Sequence, residues 1–320
     1  MFRSFIILSL VALLLTACAN QSGSIASTDS AEARAIAFLQ REVPAWSRDN
    51  GCFSCHNNGD AARALFAAIR HGYRIPQNTI AGTTAWVSSS SQWSDNKGDP
   101  GFSDQRLADI QFTASLASAL EAGSAGNHQA LEIAAIKVAQ TQVADGSWPI
   151  DSANAVGSPA TYGQALATFM AWDSLRRVSV PRIAAARQKA EERLSSIKAD
   201  SVPNAAVLLL FGAKSLAVSP VTHQTSLDFL RRAQTSDGGW GPYVDSPPEA
   251  FDTALALLAL AEFQSQAGAP EMIRRGRKFL TQTQQSDGSW PATTRPSGGQ
   301  SYAQQMSTTG WATLALLATR

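Results

Sequence analysis

The chain has few of the residues that usually build a metal or redox centre, with three cysteines and four histidines in 320 residues. Three cysteines cannot form a disulfide framework, so sulfur chemistry is confined to Cys18, Cys52 and Cys55. Charge is sparse and balanced, 26 basic residues against 25 acidic ones. There is no Lys/Arg block and no basic stripe, which argues against a nucleic-acid partner. Beyond the first eighteen residues no apolar run is long and uncharged enough to span a bilayer.

What the N-terminus does have is an export signal. Arg3 precedes an apolar run from Phe5 to Leu15, followed by small residues. This is the pattern of a signal peptide, too short and wrongly flanked for a spanning helix. The ending Leu15-Thr16-Ala17-Cys18 resembles the bacterial lipobox. That resemblance implies that Cys18 is diacylated and becomes the mature N-terminus, with ordinary cleavage near Ala17 or Ala19 as the other reading. Ala19 is not an aspartate retention signal, so the resemblance implies the periplasmic face of the outer membrane. Residues 19–30 are small and polar and read as a flexible tether. Residues 31–320 remain as one large domain.

That domain is repetitive. Gln142-Val-Ala-Asp-Gly-Ser-Trp148, Gln234-Thr-Ser-Asp-Gly-Gly-Trp240 and Gln284-Gln-Ser-Asp-Gly-Ser-Trp290 share the form Q-x-x-x-G-x-W. Each follows an amphipathic helical stretch and precedes, after a polar loop, a helix rich in Ala and Leu. Asp145 and Asp237 are 92 residues apart, Asp237 and Asp287 are 50 apart. The spacing implies a unit of roughly 45–50 residues, with one unit between the first two copies lacking the motif. Pro181 to Lys198 followed by Ser201 to Leu216 fits that missing unit. Thr84 to Trp93 with Leu107 to Glu121, and Ala33 to Gln40 with Ala61 to His71, supply two more. Six helix pairs result, and six can close a ring with their apolar helices inside.

The three motif copies resemble the QW repeat of the squalene–hopene cyclases and the related toroid of prenyltransferase β-subunits, over nearly the whole mature chain. The resemblance implies an all-α fold, an α/α toroid of helical hairpins. Gly supplies a positive-φ turn, Trp packs on the neighbouring pair, and the Gln amide closes backbone groups at a helix end. Cyclases of this kind carry Asp-x-Asp-Asp-Thr at the start of an inner helix, and its middle aspartate protonates the substrate. Here the stretch is Glu249-Ala250-Phe251-Asp252-Thr253. Phe251 stands where the proton donor belongs and has no proton to give. The zinc site of protein prenyltransferases needs a cysteine, and none follows Cys55. Other α/α toroids act on polysaccharides through carboxylates at a central cleft, for which Asp104, Asp109, Glu249 and Asp252 are the weak candidates. Loop carboxylates more often cap helices or face solvent.

The remaining signal is Asn50-Gly51-Cys52-Phe53-Ser54-Cys55-His56. In the repeat register Phe53 holds the Trp position. C-x-x-C-H is the attachment pattern of c-type haem, in which two thiols add to the vinyl groups and His56 ligates the iron. Export supports this, because haem is attached outside the cytoplasm. A Cys52–Cys55 disulfide, a redox-active pair and half of a zinc site are the other readings. For the distal iron ligand His71 lies about 22 Å along the same helix and cannot reach. Met306, just before an inner helix expected over Ser307 to Ala318, is the candidate, with gap-filling between helices as its alternative. Three function classes follow: a lipid-anchored haem toroid acting in electron transfer or cavity redox chemistry, a haem-free enzyme on an isoprenoid or polysaccharide, and a non-catalytic ligand-binding lipoprotein. The partners expected are the membrane, through the N-terminal lipid, and a redox protein or an apolar small molecule.

Overall fold

The computed structural model describes residues 30–96, 104–150, 162–293 and 300–320. The expected leader, Cys18 and nearly all of the tether lie outside the described residues. Among the described residues the regular structure is helical, and the sole β feature is one isolated bridge between Trp240 and Glu249.

The helices alternate between two rings. The outer ring takes α1 (Ala31–Asn50), α3 (Gln77–Val87), α5 (His128–Gln140), α7 (Ala184–Ser195), α9 (Pro220–Ala233) and α11 (Ala269–Thr283). The inner ring begins with a π-helix (Cys55–Ala61) that runs straight into α2 (Ala62–Arg70). It continues through α4 (Gln105–Glu121), α6 (Gln164–Leu175), α8 (Val202–Gly212), α10 (Ala250–Ala261) and α12 (Tyr302–Ala318). Each inner helix packs on the next, and α12 packs on both the π-helix and α2, so the inner ring closes. Gly310 permits that last contact, because a Cβ there would lie 2.9 Å from Ala61 Cα.

Composition decides which ring a helix joins. The stretch Ala250-Phe-Asp-Thr-Ala-Leu-Ala-Leu-Leu-Ala-Leu-Ala of α10 is buried at every position but Leu258 and Ala261, as a helix apolar on all sides must be. Charged α7, by contrast, buries only Ala190 and Leu194. Between these extremes α11 buries Met272, Ile273, Gly276, Phe279 and Leu280, one stripe at helical spacing. The fold is therefore an α/α toroid of six hairpins, as the repeat implied.

Inner helices all start at one end of the ring, here the mouth, and the Q-x-x-x-G-x-W turns lie there. In each intact turn the Gln Nε2 donates twice, to the Gly carbonyl of its own turn and to a carbonyl in the first turn of the next outer helix. The partners are Gly146 and Ala186 for Gln142, Gly238 and Met272 for Gln234, and Gly288 and Ala31 for Gln284. The last of these carries the pattern from the sixth hairpin back to the first. Trp148, Trp240 and Trp290 are fully buried. Their indoles donate to Val138, Leu230 and Leu280, carbonyls in the last turn of the preceding outer helix.

Boundaries differ from expectation in three places. The second outer helix is α3, followed by a 3₁₀ turn (Ser90–Asp95), rather than one helix over Thr84 to Trp93. The last inner helix starts at Tyr302, capped by Ser301, so Met306 lies inside it rather than before it. The first inner helix starts at Cys55 and not near Ala61, because its opening turns are π-helical.

Candidate functional site

The first inner helix opens on Cys-His-Asn-Asn-Gly-Asp-Ala, with no apolar stripe at all. Side chains from neighbouring helices hold it in its wide-turned form. Ser54 caps it, accepting from the backbone N–H groups of His56 and Asn57. Asn57 donates to the Glu42 carbonyl and the Tyr302 hydroxyl. Asn58 donates to the Val43 carbonyl and to Thr83 Oγ1, and its own carbonyl accepts from Ser115. These bonds reach α1, α3, α4 and α12, so the π-turn is fixed from every side. π-helical turns are costly and gather at functional sites.

On this platform Cys55 and His56 stand at the mouth. Cys52, one turn earlier, is buried, and its Sγ accepts from the Trp46 indole N–H at 3.2 Å. Cys52 and Cys55 are not joined as a disulfide in this structure. His56 Nδ1 lies 2.8 Å from Ser307 Oγ, and Ser307 donates to Asp60 Oδ2 at 2.8 Å. A hydroxyl has one proton, and here Asp60 takes it. Ser307 must therefore accept from His56, which puts the imidazole proton on Nδ1 and leaves the Nε2 lone pair available. Burial lowers the His56 pKa, against the opposing charge of Asp60, and favours the same neutral ring.

Behind His56 lies a cluster that sequence reasoning missed. Asp60 and Gln111 are fully buried, and Gln111 Nε2 donates to Asp60 Oδ2 at 2.8 Å. Arg63 Nη1 stands 3.7 Å from Asp60 Oδ1, too far for a hydrogen bond. The Arg63 guanidinium lies over the Trp311 ring at 4.8 Å and faces the Tyr162 hydroxyl. Trp311, Tyr162 and Phe251 form an aromatic group with centroids 5.7–6.4 Å apart. Buried polar atoms left without a hydrogen bond each cost about 1–3 kcal/mol. Asp60 Oδ1, Arg63 Nη1, Gln111 Oε1 and Trp311 Nε1 are four such atoms in one place. One-letter polarity could have flagged Asp60 and Gln111, which interrupt otherwise apolar inner helices. The convergence of residues up to 251 positions apart could not be seen.

The other candidates fall elsewhere. Met306 is fully buried in an apolar cluster with Ile36, Leu39, Val43, Ala62 and Leu65, separate from the cluster on which Phe53 and Cys55 pack. It fills space between α1, α2 and α12, the packing role that the sequence left as its alternative. Asp104 is the N-cap of α4, accepting from Leu107 N–H. Asp109 pairs with Lys137 of the outer helix α5 at 2.8 Å, although burial pushes its carboxyl up. Both are structural positions. Glu249 precedes α10, where its backbone pairs with Trp240, and lines a surface groove of about 240 Å³ with Phe279 and Pro291. Asp252 is buried in the first turn of α10, and Phe251 beside it packs on Tyr162 and Trp311. Of the four carboxylates only Glu249 lines that groove. Among the described residues no three His, Cys, Asp or Glu side chains gather as metal ligands, so the zinc half-site has no second half there. No described helix is long and apolar enough to cross a membrane.

Comparison with known proteins agrees with the architecture. Residues 197–320 match the family model of the squalene-hopene cyclase C-terminal domain. Two variants of a type II terpene cyclase from Scytonema, each solved with geranylgeranyl dihydroxybenzoate, superpose with a TM-score of 0.56. They are 12% and 11% identical over 90% of this chain and 96% and 95% of theirs. No curated protein sequence matches the chain. Identity this low speaks for the fold alone, an α/α toroid like that of the squalene–hopene cyclases.

Proposed function

We propose that this chain is a lipid-anchored α/α toroid that carries one c-type haem on Cys52, Cys55 and His56 at its mouth. The observation that supports this most is the state of His56: Ser307, oriented by Asp60, fixes its tautomer with Nε2 free to donate. A metal-binding imidazole is normally held this way, by a hydrogen bond on its other nitrogen. The donor set also fits, with two thiols not joined as a disulfide and the imidazole in one five-residue run at the start of a rigid inner helix. Haem there would supply one-electron chemistry. The residues around it have separate tasks: Ser307 and Asp60 orient the ligand, Trp46 contacts the Cys52 sulfur, and the asparagines hold the π-turn. With Met306 committed to packing, the reading leans toward redox chemistry at the mouth rather than simple electron relay. Acylated Cys18 would hold the domain at the periplasmic face of the outer membrane, where a redox protein would be its partner.

The test is expression of the full chain in a host that matures c-type cytochromes. Haem should stay with the denatured polypeptide and disappear in Cys52→Ser/Cys55→Ser. It should fractionate with membranes in the wild type and with the soluble proteins in Cys18→Ser. A wild-type protein lacking haem, with Cys52 and Cys55 joined as a disulfide, would overturn the proposal.

A further inference from the structure

The end of the ring opposite the mouth differs from the mouth in charge and in exposed apolar surface. We propose that it is a membrane-facing surface, a reading that rests on the acylated Cys18. Leu216 and Val221 enter the headgroup layer of an anionic bilayer, and the mouth with Cys55 and His56 faces away from it, open to a redox partner.

The entry point of the chain is the first observation. Arg277 donates to Glu32 and, with its other terminal nitrogen, to the Leu316 carbonyl in the last turn of α12. Inner helices end opposite the mouth, so Ser30, the cap of α1, stands at that end. Residues 19–30 separate it from Cys18, a reach of about 40 Å at full extension. A lipid on such a tether keeps the domain near a bilayer without setting its orientation.

A second contact sets it, and the link between α8 and α9 supplies one. This link also lies opposite the mouth, separated from Ser30 by two hairpins, α9 with α10 and α11 with α12. Leu216 in the link is fully exposed, and Val221 in the first turn of α9 is 75% exposed. Large apolar side chains left bare at a loop tip gain by entering the boundary between headgroups and acyl chains. Two side chains do not hold a domain on a bilayer without the lipid; they orient it. Charge names the kind of bilayer. Among the described residues, the last turns of the inner helices and the links after them carry Arg70, Arg74, Arg176, Arg177, Lys214 and Arg320. Their acidic residues are Glu121, Asp173 and Glu262. Cations suit helix C-termini in any case, and three of these share Asp173, so charge alone names no partner. A bare leucine two residues from Lys214, beside that surplus, matches an anionic headgroup layer. The mouth has the opposite bias, with an aspartate in each of its four turns, Asp49, Asp145, Asp237 and Asp287.

The experiment uses the full acylated chain in vesicles of phosphatidylethanolamine and phosphatidylglycerol, with a nitroxide attached through Ala217→Cys beside Leu216. A second label, through Tyr243→Cys, reports on the mouth, where the neighbouring Pro242 carbonyl accepts from the N–H of Val202 at the start of α8. Wild-type protein treated with the same reagent gives the background from Cys52 and Cys55. On vesicles the label at 217 should gain collisions with oxygen and lose those with a water-soluble nickel complex, while the label at 243 does neither. Leu216→Asp with Val221→Asp should return the label at 217 to its values in water. Both sites are exposed, so the melting temperature should stay unchanged. Anchor and surface fail in different ways. A chain that does not float with the vesicles overturns the anchor, and this surface with it. A chain that floats with the label at 217 in water, with the label at 243 in lipid, or with the aspartate pair without effect overturns the surface alone.

Discussion

The three intact turns and the turn at Cys52 occupy equivalent places in the ring, yet they are built for different ends. In the intact turns the Gln, Gly and Trp that define the motif are tied into the scaffold. The Gln amide ties two backbone carbonyls, the Trp indole closes a helix end, and Gly288 lets α1 approach. In the first turn Phe53 replaces Trp and loses the indole N–H, stacking on Trp86 at 4.6 Å instead. Its backbone is held by Asn96, which both accepts from Phe53 N–H and donates to its carbonyl. The glycine conformation survives, with φ of 69° at Gly51, but the close approach does not. Stabilising contacts given up there are replaced by thiols, an imidazole and a π-turn. The scaffold turns hold the ring closed, and on the proposed reading the first turn is left for chemistry.

A pair of glycine substitutions tests this contrast most strongly. At Gly288 φ is 97°, and a Cβ would lie 2.3 Å from the Arg34 carbonyl oxygen. Gly288→Ala adds left-handed strain of about 1–2 kcal/mol to overpacking of about 1–3 kcal/mol. A loss of about 3 kcal/mol or more, read by urea denaturation, is the expected outcome. Gly51 has nothing within 4 Å of its Cβ position. Gly51→Ala should therefore cost only the strain, about 1 kcal/mol. Equal losses at both sites would mean that the first turn is as tightly engaged as the others.

The same contrast explains what was legible in the sequence. Repeats advertise themselves: Ala/Leu-rich stretches marked the inner helices, and Gln, Gly and Trp marked the turns, because packing at those positions admits few residue types. The π-helix left no such mark, since Cys55 to Ala61 has neither a 3.6-residue apolar period nor a turn signature. Cys52, Cys55 and His56 were visible only as a motif, with no sign of Ser307 across the ring. Asp60, Arg63, Gln111, Tyr162 and Trp311 meet only because the ring closes, and single polar residues far apart in sequence carry no sign of that meeting. Met306 lies inside a helix whose start the sequence pattern places after it. With α12 beginning at Tyr302, the side chain points into the interhelical core.

A smaller effect is expected where the motif closes the ring. Gln284 donates to Ala31 and Gly288, and its Oε1 accepts from Arg34 at 2.5 Å. Gln284→Leu removes all three bonds at a partly buried site, a loss of about 2 kcal/mol. Gln142→Leu joins neighbours within the ring and should cost a similar amount. If ring closure is a cooperative requirement, however, Gln284→Leu alone will also speed proteolysis within α1. Identical protease sensitivity in the two variants would show that the seam is no different from any other hairpin contact.

The seam also contains a half-buried ion pair joining first and last hairpins, and this gives the smallest effect and a pH dependence. Arg277 Nη2 donates to Glu32 Oε1 at 2.6 Å, while Arg277 Nη1 donates to the Leu316 carbonyl and to Thr319 Oγ1. Burial alone would raise the Glu32 pKa. The backbone N–H of Glu32 itself and the Arg277 guanidinium outweigh it, and the value falls below the ordinary 4.5. A carboxyl whose folded pKa is lowered binds its proton more weakly in the folded state than in the unfolded one. Its contribution is then fully present above the unfolded value and is lost as pH falls through the folded one. Glu32→Gln should cost about 1 kcal/mol at pH 7, and the gap from the wild type should close on acidification below about pH 4.5. Arg277→Met should cost more at pH 7, because it also frees the Leu316 carbonyl, and its deficit should persist at low pH. Parallel stability curves for Glu32→Gln and the wild type across that range would show that packing, and not this carboxylate, holds the seam.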